Sequence, residues 1–493
     1  MRKRPNILFL MTDQHRWDAL GCVNPVAKTP NLDALAERGV RFSQAICNVP
    51  MCVPSRYSMM LGLYPSQCGV RHNTQMCATD EDLPLPVLPQ RLRNLGYQTA
   101  GFGKTHWYPG SKFAPDITVQ TSRRGFEVRA QAVPIDPGMK EPDARMMALH
   151  TPDAFARLGA EEQPFGGGGE GILGYTGCTS GVPAKAHREG WLTQEALDFL
   201  EHGRDPNRPL FLYLSFDSPH PGFNVPPGYE DRYSIEDIPE RPIPPWTEHR
   251  SGHAVFTRFP EEWHLKSPLE RRRTTLRYYA LCTYVDELFG RILSKLDETG
   301  ELDDTCIIFV SDHGEMLGDR FHRFSKYSMY EGSIRVPLIV AGAGVPAQRQ
   351  GTPDDRYAEL VDVLPTLLQV ADEGPAPELP GHSLLGPPCR AGGFAEMHGG
   401  GYEQVHMAPT YLWRTRDWKL ILHLPGEITD ASLRLADVQG ELYDLQNDPH
   451  EWISLYDDPQ HLATRERLTR DMLMHLAVAW AKHPGQAAPP RIE

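Results

Sequence analysis

The stretch CIIFVSDHG, residues 306–314, is an apolar run that stops abruptly at Ser311, Asp312, His313 and Gly314. Five apolar residues in a row fit a strand buried on both faces, and side chains capable of chemistry begin where the run ends. The arrangement recurs three times. Residues 7–11 stop at Thr12, Asp13 and Gln14; residues 99–103 stop at Lys104, Thr105 and His106; residues 210–216 stop at Asp217, Ser218, Pro219 and His220. Helical patterns separate these runs. One is Leu32, Leu35 and Ala36, after Thr29-Pro30 and before Gly39; a longer one is Leu276, Ala280, Leu288, Ile292 and Leu296, before Gly300. The alternation predicts an α/β fold, a large mostly parallel sheet sandwiched by helices. Ligands of such sheets bind beyond the carboxyl ends of the strands, so the four polar clusters are expected to converge on one crevice.

Outside this frame the chain of 493 residues divides, on its composition, into a large domain at 1–385 and a smaller α+β domain at 386–493. Residues 360–370 carry a helical pattern, and the proline-rich 374–388 reads as a linker. Beyond it come alternating runs at 418–423 and 441–445 and a terminal helical pattern at 464–480. Residues 110–190, with four glycines at 166–169, and residues 224–270, rich in Pro, Glu and Arg, read as insertions that would form the rim of the crevice. No internal repeat is present. Fifty Lys and Arg against 64 Asp and Glu give a formal charge of -14, which opposes nucleic acid or an anionic membrane as partner. Mean hydropathy of -0.44 leaves no room for several membrane spans. The apolar run at 7–11 is short for a signal peptide, and the nine cysteines show neither zinc spacing nor a disulfide framework, so a reducing cytoplasm is expected. Homo-oligomerisation is left open.

The sharpest local pattern is Cys52-Val53-Pro54-Ser55-Arg56. Pro54 favours the first turn of a helix, which puts Cys52 at a helix N-terminus where backbone N–H groups attract anions. By itself this is either a reactive thiol or a packed cysteine before a turn. Cys-x-Pro-Ser-Arg, however, is similar to the signature of the type I sulfatases of the alkaline phosphatase superfamily, whose cysteine is oxidised to formylglycine after translation. Other clusters resemble the same family in the same order: Asp13-Gln14, Gly103-Lys104-x-His106, Pro219-His220, Asp312-His313-Gly314-Glu315, Lys326 ahead of a Tyr-Glu and Arg-Val-Pro run, and the closing segment GELYDLQNDPHE at 440–451. The resemblance covers nearly the whole chain. It departs in two places. Gln14 stands where most sulfatases have a second aspartate, a ligand set that resembles the phosphonate monoester hydrolases, and Leu61 replaces the usual threonine before Gly62.

The resemblance implies a hydrolase of sulfate monoesters with Cys52, Arg56, Lys104, His106, His220 and Lys326 as catalytic residues. Asp13, Gln14, Asp312, His313 and the modified Cys52 would hold one divalent metal. Hard oxygen donors favour Ca2+, and the imidazole with one missing negative charge keeps Mn2+ as the alternative. A hydroxyl of hydrated formylglycine would attack sulfur, Lys104, Lys326, Arg56 and His220 would bind the nonbridging oxygens, and His220 or Lys326 would protonate the leaving alkoxide. His106 would then deprotonate the second hydroxyl to expel sulfate. A formylglycine-generating or equivalent maturation enzyme is implied as a partner. Asn73 and Thr74 are candidates for ester contacts, Trp107, Tyr108 and Phe223 for the leaving-group pocket, and His322 and His398 for its wall. A phosphonate monoester or phosphodiester hydrolase is the competing reading, favoured by Gln14 and opposed by the cationic pair Lys104 and His106. A non-catalytic anion- or glycan-binding protein is opposed by the completeness of the site.

Overall fold

The computed structural model describes residues 4–75, 77, 79–107, 124–130, 177–244, 267–374, 376–399, 409–424 and 438–482. Tyr108, the glycines at 166–169, most of the stretch 110–190 and, of 224–270, residues 245–266 lie outside the described residues. The strands of the large sheet are β1 (Asn6–Thr12), β2 (Gly39–Ile46), β3 (Gln98–Gly103), β4 (Val128–Ala130), β6 (Leu210–Ser215), β8 (Thr305–Ser311), β9 (Leu338–Gly342) and β10 (Asp354–Glu359). Two short strands, β5 (Cys178–Thr179) and β7 (Asn224–Val225), pair beside it. The order across the large sheet is β10-β2-β9-β8-β1-β6-β3-β4. Every neighbouring pair is parallel except those made by β9, which runs antiparallel to β8 and β2. The predicted mostly parallel sheet is therefore present.

The principal helices are α1 (Pro30–Glu37), α2 (Cys52–Leu61), α3 (Arg188–Asp198), α4 (Pro268–Glu298) and α5 (Val363–Val370). Period-two burial along β1 divides them between two cores. Ile7, Phe9 and Met11 pack in one with Met59, Met60, Leu364 and Leu367 of α2 and α5. Leu8 and Leu10 pack in the other with Leu32, Trp191, Leu192, Leu281 and Phe289 of α1, α3 and α4. A strand buried on both faces has no polar face to alternate with, which is why 306–310 and 7–11 read as continuous apolar runs. α4 begins with a capping box, Ser267 accepting from the Glu270 N–H. Its buried Asp286 in turn accepts from the Asn31 and Leu32 amides, capping α1, where Thr29 makes no side-chain cap.

Strand register sets the position of the site. Thr12 pairs with Ser311, Met11 with Ser215, and Gly103 with Ser215. β1, β8, β6 and β3 thus end level with one another, and the polar clusters following them open onto one edge of the sheet. Gly103 has φ +93 and sits so close to β6 that an added Cβ would lie 1.8 Å from the Ser215 carbonyl oxygen, so glycine is required there.

A second sheet is antiparallel, in the order β11 (Gly393–His398), β12 (Pro409–Arg414), β13 (Trp418–His423) and β14 (Gln439–Asp444). Helix α6 (Leu462–Lys482) covers it through Leu468, Met472 and Ala479 against Phe394, Trp413, Leu420 and Leu442. The sequence reading found β13, β14 and α6 but missed β11 and β12. In β11 the buried Glu396 and His398 interrupt the apolar pattern, and Glu396 is tolerated because it accepts from the Ser66 N–H at 2.7 Å. Asn48 joins the sheets: its amide donates to the Phe394 carbonyl and its own carbonyl accepts from the Glu396 N–H, both at 2.8 Å. No disulfide joins the cysteines among the described residues. Among the described residues no helix is long and apolar enough to cross a membrane.

Candidate active site

Cys52 is the first residue of α2, a helix buried along its whole length. Its first-turn amides need partners, and the Val53 N–H finds one in Asn73 Oδ1 at 3.2 Å. Ser55, one turn on, donates from Oγ to the Asp312 carbonyl at 2.5 Å, tying α2 to the end of β8. Gly62 closes the helix in the left-handed region, φ +67.

Around Cys52 the level strand ends deliver their side chains. Its Sγ lies 3.2 Å from His313 Nε2, 2.9 Å from Lys326 Nζ and 3.9 Å from Asp13 Oδ1. His313 Nε2 is 3.6 Å from both Asp13 Oδ1 and Asp312 Oδ1. The ligand atoms of Asp13, Cys52, Asp312 and His313 all fall within 4.8 Å of one another, and all four residues are buried. Lys104 Nζ bridges Asp13 Oδ2 at 2.8 Å and Asp217 Oδ1 at 2.6 Å. Arg56 is fully buried between the two carboxylates, with Nε 2.7 Å from Asp312 Oδ2 and Nη2 3.3 Å from Asp13 Oδ2. Its Nη1 donates to the Lys104 carbonyl at 2.8 Å and to Ser215 Oγ at 3.1 Å. Arg56 thus spends Nε and one Nη2 donor on the Asp312 and Asp13 carboxylates.

The electrostatics follow from burial among fixed charges. Burial raises the Asp13 carboxyl, but Lys104, Lys326, His220 and Arg56 outweigh it and hold the group well below the usual range. Asp312 is pushed up to about 6 by burial and by the charge of Asp13. Two close carboxylates in one dry site repel each other, a strain that a cation between them would relieve. The Cys52 thiol is pushed up to about 11 by burial and Asp13, so an unmodified thiolate is scarce at neutral pH. Lys104 and Lys326 stay charged, because Asp13 with Asp217, and Cys52 with Asp13, overcome the cost of burial. His220 is held near 3 by burial and Lys326, while His106 lies well below its ordinary value through burial and Lys104; both rings are neutral.

The donors fit a divalent cation. His313 Nδ1 is 3.0 Å from the Gly314 carbonyl, which assigns the proton to Nδ1 and leaves the Nε2 lone pair facing the cluster. Burial and Lys326 keep this imidazole neutral, as a ligand must be. Gln14 is fully buried, and its Oε1 has no hydrogen-bond partner.

The remaining candidates separate. Asn73 touches both α2 and the Lys326 segment, its Nδ2 lying 3.5 Å from the Tyr327 hydroxyl, whereas Thr74 pairs with His72. Trp107 is core, stacked on Phe126 at 5.9 Å, and Phe223 is buried edge-on against Tyr278. His322 is buried in the helical turn Asp319–His322. His398 is buried at the end of β11, 3.6 Å from Glu396, and with burial it holds His72 near 4. The sequence reading left unassigned two carboxylates of the site. Asp217 ties Lys104 to Arg188 of α3. Glu315 accepts from the Gln14 amide. Asp217 stood in the polar cluster after β6 and Glu315 directly follows the one after β8, and that position was the available signal.

Comparison with known proteins gives one consistent picture. A family model described as Sulfatase matches residues 5–373, and one described as N-sulphoglucosamine sulphohydrolase, C-terminal, matches residues 319–477. An arylsulfatase of Clostridium perfringens is 32% identical over 379 residues, 75% of each chain. A choline-sulfatase of Rhizobium meliloti is 30% identical over 488 residues, 95% of this chain and 86% of that one. The crystal structure of a phosphonate monoester hydrolase of Agrobacterium radiobacter superposes with a TM-score of 0.75 at 23% identity, covering 96% of both chains.

Proposed function

Because the chain belongs to the sulfatase family and is a hydrolase of sulfate esters, we propose that Cys52, converted to formylglycine, is its nucleophile and that Asp13, Gln14, Asp312 and His313 hold one divalent cation beside it. The observation that carries this reading is the setting of Cys52. A thiol pushed up to about 11 is a weak nucleophile at neutral pH, yet its Sγ lies 2.9 Å from a charged lysine and 3.2 Å from a neutral imidazole ligand. That surrounding suits an oxygen nucleophile. Formylglycine, once hydrated, supplies two hydroxyls, one to attack sulfur and one to release sulfate by C–O cleavage. Asp13, Gln14, Asp312 and His313 would hold the cation, Ca2+ on the oxygen-rich donor set with Mn2+ as the alternative, and it would supply the Lewis acidity that lowers a hydroxyl pKa there.

The chain's own groups do the rest. Lys104 and Lys326, both charged, offer N–H donors to nonbridging sulfate oxygens, and Lys326 holds the proton that the departing alkoxide needs. Neutral His106 can accept the proton of the second hydroxyl, and neutral His220, its Nδ1 turned to the Pro221 carbonyl at 3.1 Å, leaves protonation of the ester oxygen to Lys326. Arg56 orients Asp13 and Asp312. The same reading assigns a maturation enzyme as partner, a cytoplasmic location and a boundary between the domains near residue 385. Peptide mass spectrometry of natively produced, active protein tests it, since finding only unmodified Cys52 would refute it. Gln14 and His313 also suit a phosphonate monoester or phosphodiester hydrolase. A kinetic panel of sulfate monoesters, phosphate diesters and phosphonate monoesters on one preparation decides preference.

A further inference from the structure

The neutral ligand position Gln14 has an unusual environment. It follows β1 with φ +64, and its backbone is pinned at both ends, the N–H donating to Asp312 Oδ1 at 3.1 Å and the carbonyl accepting from the Tyr278 hydroxyl at 2.7 Å. Its side-chain Nε2 donates to Glu315 Oε2, and its Oε1 is buried without a partner. Glu315 is itself fully buried and cannot swing away. Its Oε1 accepts from the Leu317 N–H at 2.9 Å and from the Ser325 N–H at 2.6 Å, and its carbonyl accepts from Arg16 at 3.0 Å.

An amide can present either face, and only its oxygen is a metal ligand. Rotating the Gln14 amide by half a turn would set Oε1 against the Glu315 carboxylate, acceptor against acceptor. We propose that Glu315 is a positioning residue that locks the Gln14 amide with its oxygen toward the cation cluster. The inference rests on the reading of Asp13, Asp312 and His313 as cation ligands and goes one shell beyond it. The negative charge that a second aspartate would bring is held by Glu315 behind the amide, where it also makes the amide oxygen a better donor. The same carboxylate holds Ser325, the residue before Lys326, so one group sets a ligand and the loop of a catalytic lysine.

The test is calorimetric titration of the chelator-stripped full-length protein with Ca2+, and separately with Mn2+, in four forms: wild type, Glu315→Gln, Gln14→Glu and the double variant. In Glu315→Gln the new amide can donate to Gln14 Oε1, which allows the flip and turns an N–H2 group toward the cation. Affinity should fall by about 10- to 100-fold, the usual effect of losing an outer-shell partner. A carboxylate at position 14 presents oxygen whichever way it turns, so in the Gln14→Glu background the same substitution should cost no affinity. Equal losses in both backgrounds would overturn the proposal, because Glu315 would then only brace the 317–325 loop. No loss in the wild-type background would overturn it as well. Wild-type protein that binds neither cation would remove the ligand reading itself, an outcome distinct from both. If Glu315→Gln does not fold, Glu315→Asp, which keeps the charge and shortens the reach, undergoes the same two-background comparison.

Discussion

Arg56 offers the clearest separation between orienting a ligand and touching a substrate. Its guanidinium reaches two carboxylates at once, Asp312 at 2.7 Å and Asp13 at 3.3 Å, with no exposed surface on any of the three side chains. Arg56→Lys keeps the charge and loses the planar fork, so a single ammonium cannot serve both carboxylates. Losing one hydrogen bond to a buried charged group costs about 1.5–3 kcal/mol. Arg56→Ala, which strands both carboxylates, costs about 3–5 kcal/mol. These losses should appear in urea denaturation of the chelator-stripped protein. Excess cation should offset part of them, since a ligand at about 100 times its Kd stabilises the folded state by about 2.7 kcal/mol. The decisive assay is kcat/KM for an aryl sulfate in Arg56→Lys, measured at rising Ca2+. If Arg56 acts through Asp13 and Asp312, the variant binds Ca2+ about 10- to 100-fold more weakly and recovers most of its activity at saturation. If Ca2+ affinity is unchanged and kcat/KM stays about 10²- to 10³-fold low at saturation, Arg56 contacts the sulfate and the orienting role is refuted.

Other expectations are narrower. Cys52→Ala should abolish turnover with an unchanged circular dichroism spectrum, and a variant retaining near wild-type rate would remove formylglycine from the reading. Lys104→Ala and Lys326→Ala should each lower kcat/KM by about 10²-fold or more at both low and high salt; a loss that vanishes at high salt marks a steering charge instead. Glu189 is fully buried, accepts from Ser218 N–H and Oγ–H beside the His220 loop, and is held near 2, because hydrogen bonding to His187 with the charge of Arg188 outweighs burial. Its folded value lies below its unfolded one, so its contribution is full above about pH 4.5 and is lost as pH falls toward 2. In acid denaturation the wild type should therefore lose about 3 kcal/mol more than Glu189→Gln across that window, and identical profiles would refute the assignment.

Much of this was legible in the chain because the fold and the site use the same residues. A strand buried on both faces must be apolar throughout, so its end is marked in the sequence by the first polar residue, and in a parallel sheet those ends share one edge. Asp13, Lys104, His220 and Asp312 could be gathered on that argument before any geometry was known. Register was not legible: nothing in the sequence states that Thr12 pairs with Ser311 and Met11 with Ser215. The destination of Arg56 was hidden for the same reason. A charged side chain in a site reads as a substrate contact, and only the folded geometry shows that Asp312 and Asp13 take its Nε and one Nη2 donor. Trp107 and Phe223 were ambiguous because an aromatic beside a functional residue packs inward or lines a pocket with the same local sequence. β11 escaped because a buried glutamate and histidine erase the apolar pattern of a strand, while their compensation, the Ser66 amide on Glu396, comes from a distant segment.

The charges around Cys52 also favour the proposed cation. Lys104, Lys326, Arg56 and Arg188 stand against Asp13, Asp312, Asp217 and Glu315, four formal charges of each sign within one connected set of contacts. Among the described residues these groups thus balance, inside a chain of formal charge -14, and a balanced set offers an anionic ester little net attraction. A divalent cation at the Asp13 and Asp312 carboxylates would shift that balance to positive where the nucleophile stands. In a dry site such a surplus acts at nearly full strength on a ligand in contact and is screened within about 8 Å in the surrounding solution. The lysines cannot supply the surplus themselves, since Lys104 is already paired with Asp13 and Asp217. Their charge is released toward a sulfate oxygen to the extent that the cation takes over Asp13, which couples cation binding to anion binding through one carboxylate. Removing the cation should therefore weaken binding of inorganic sulfate as well as turnover, and binding of sulfate at equal strength with and without the cation would break that link.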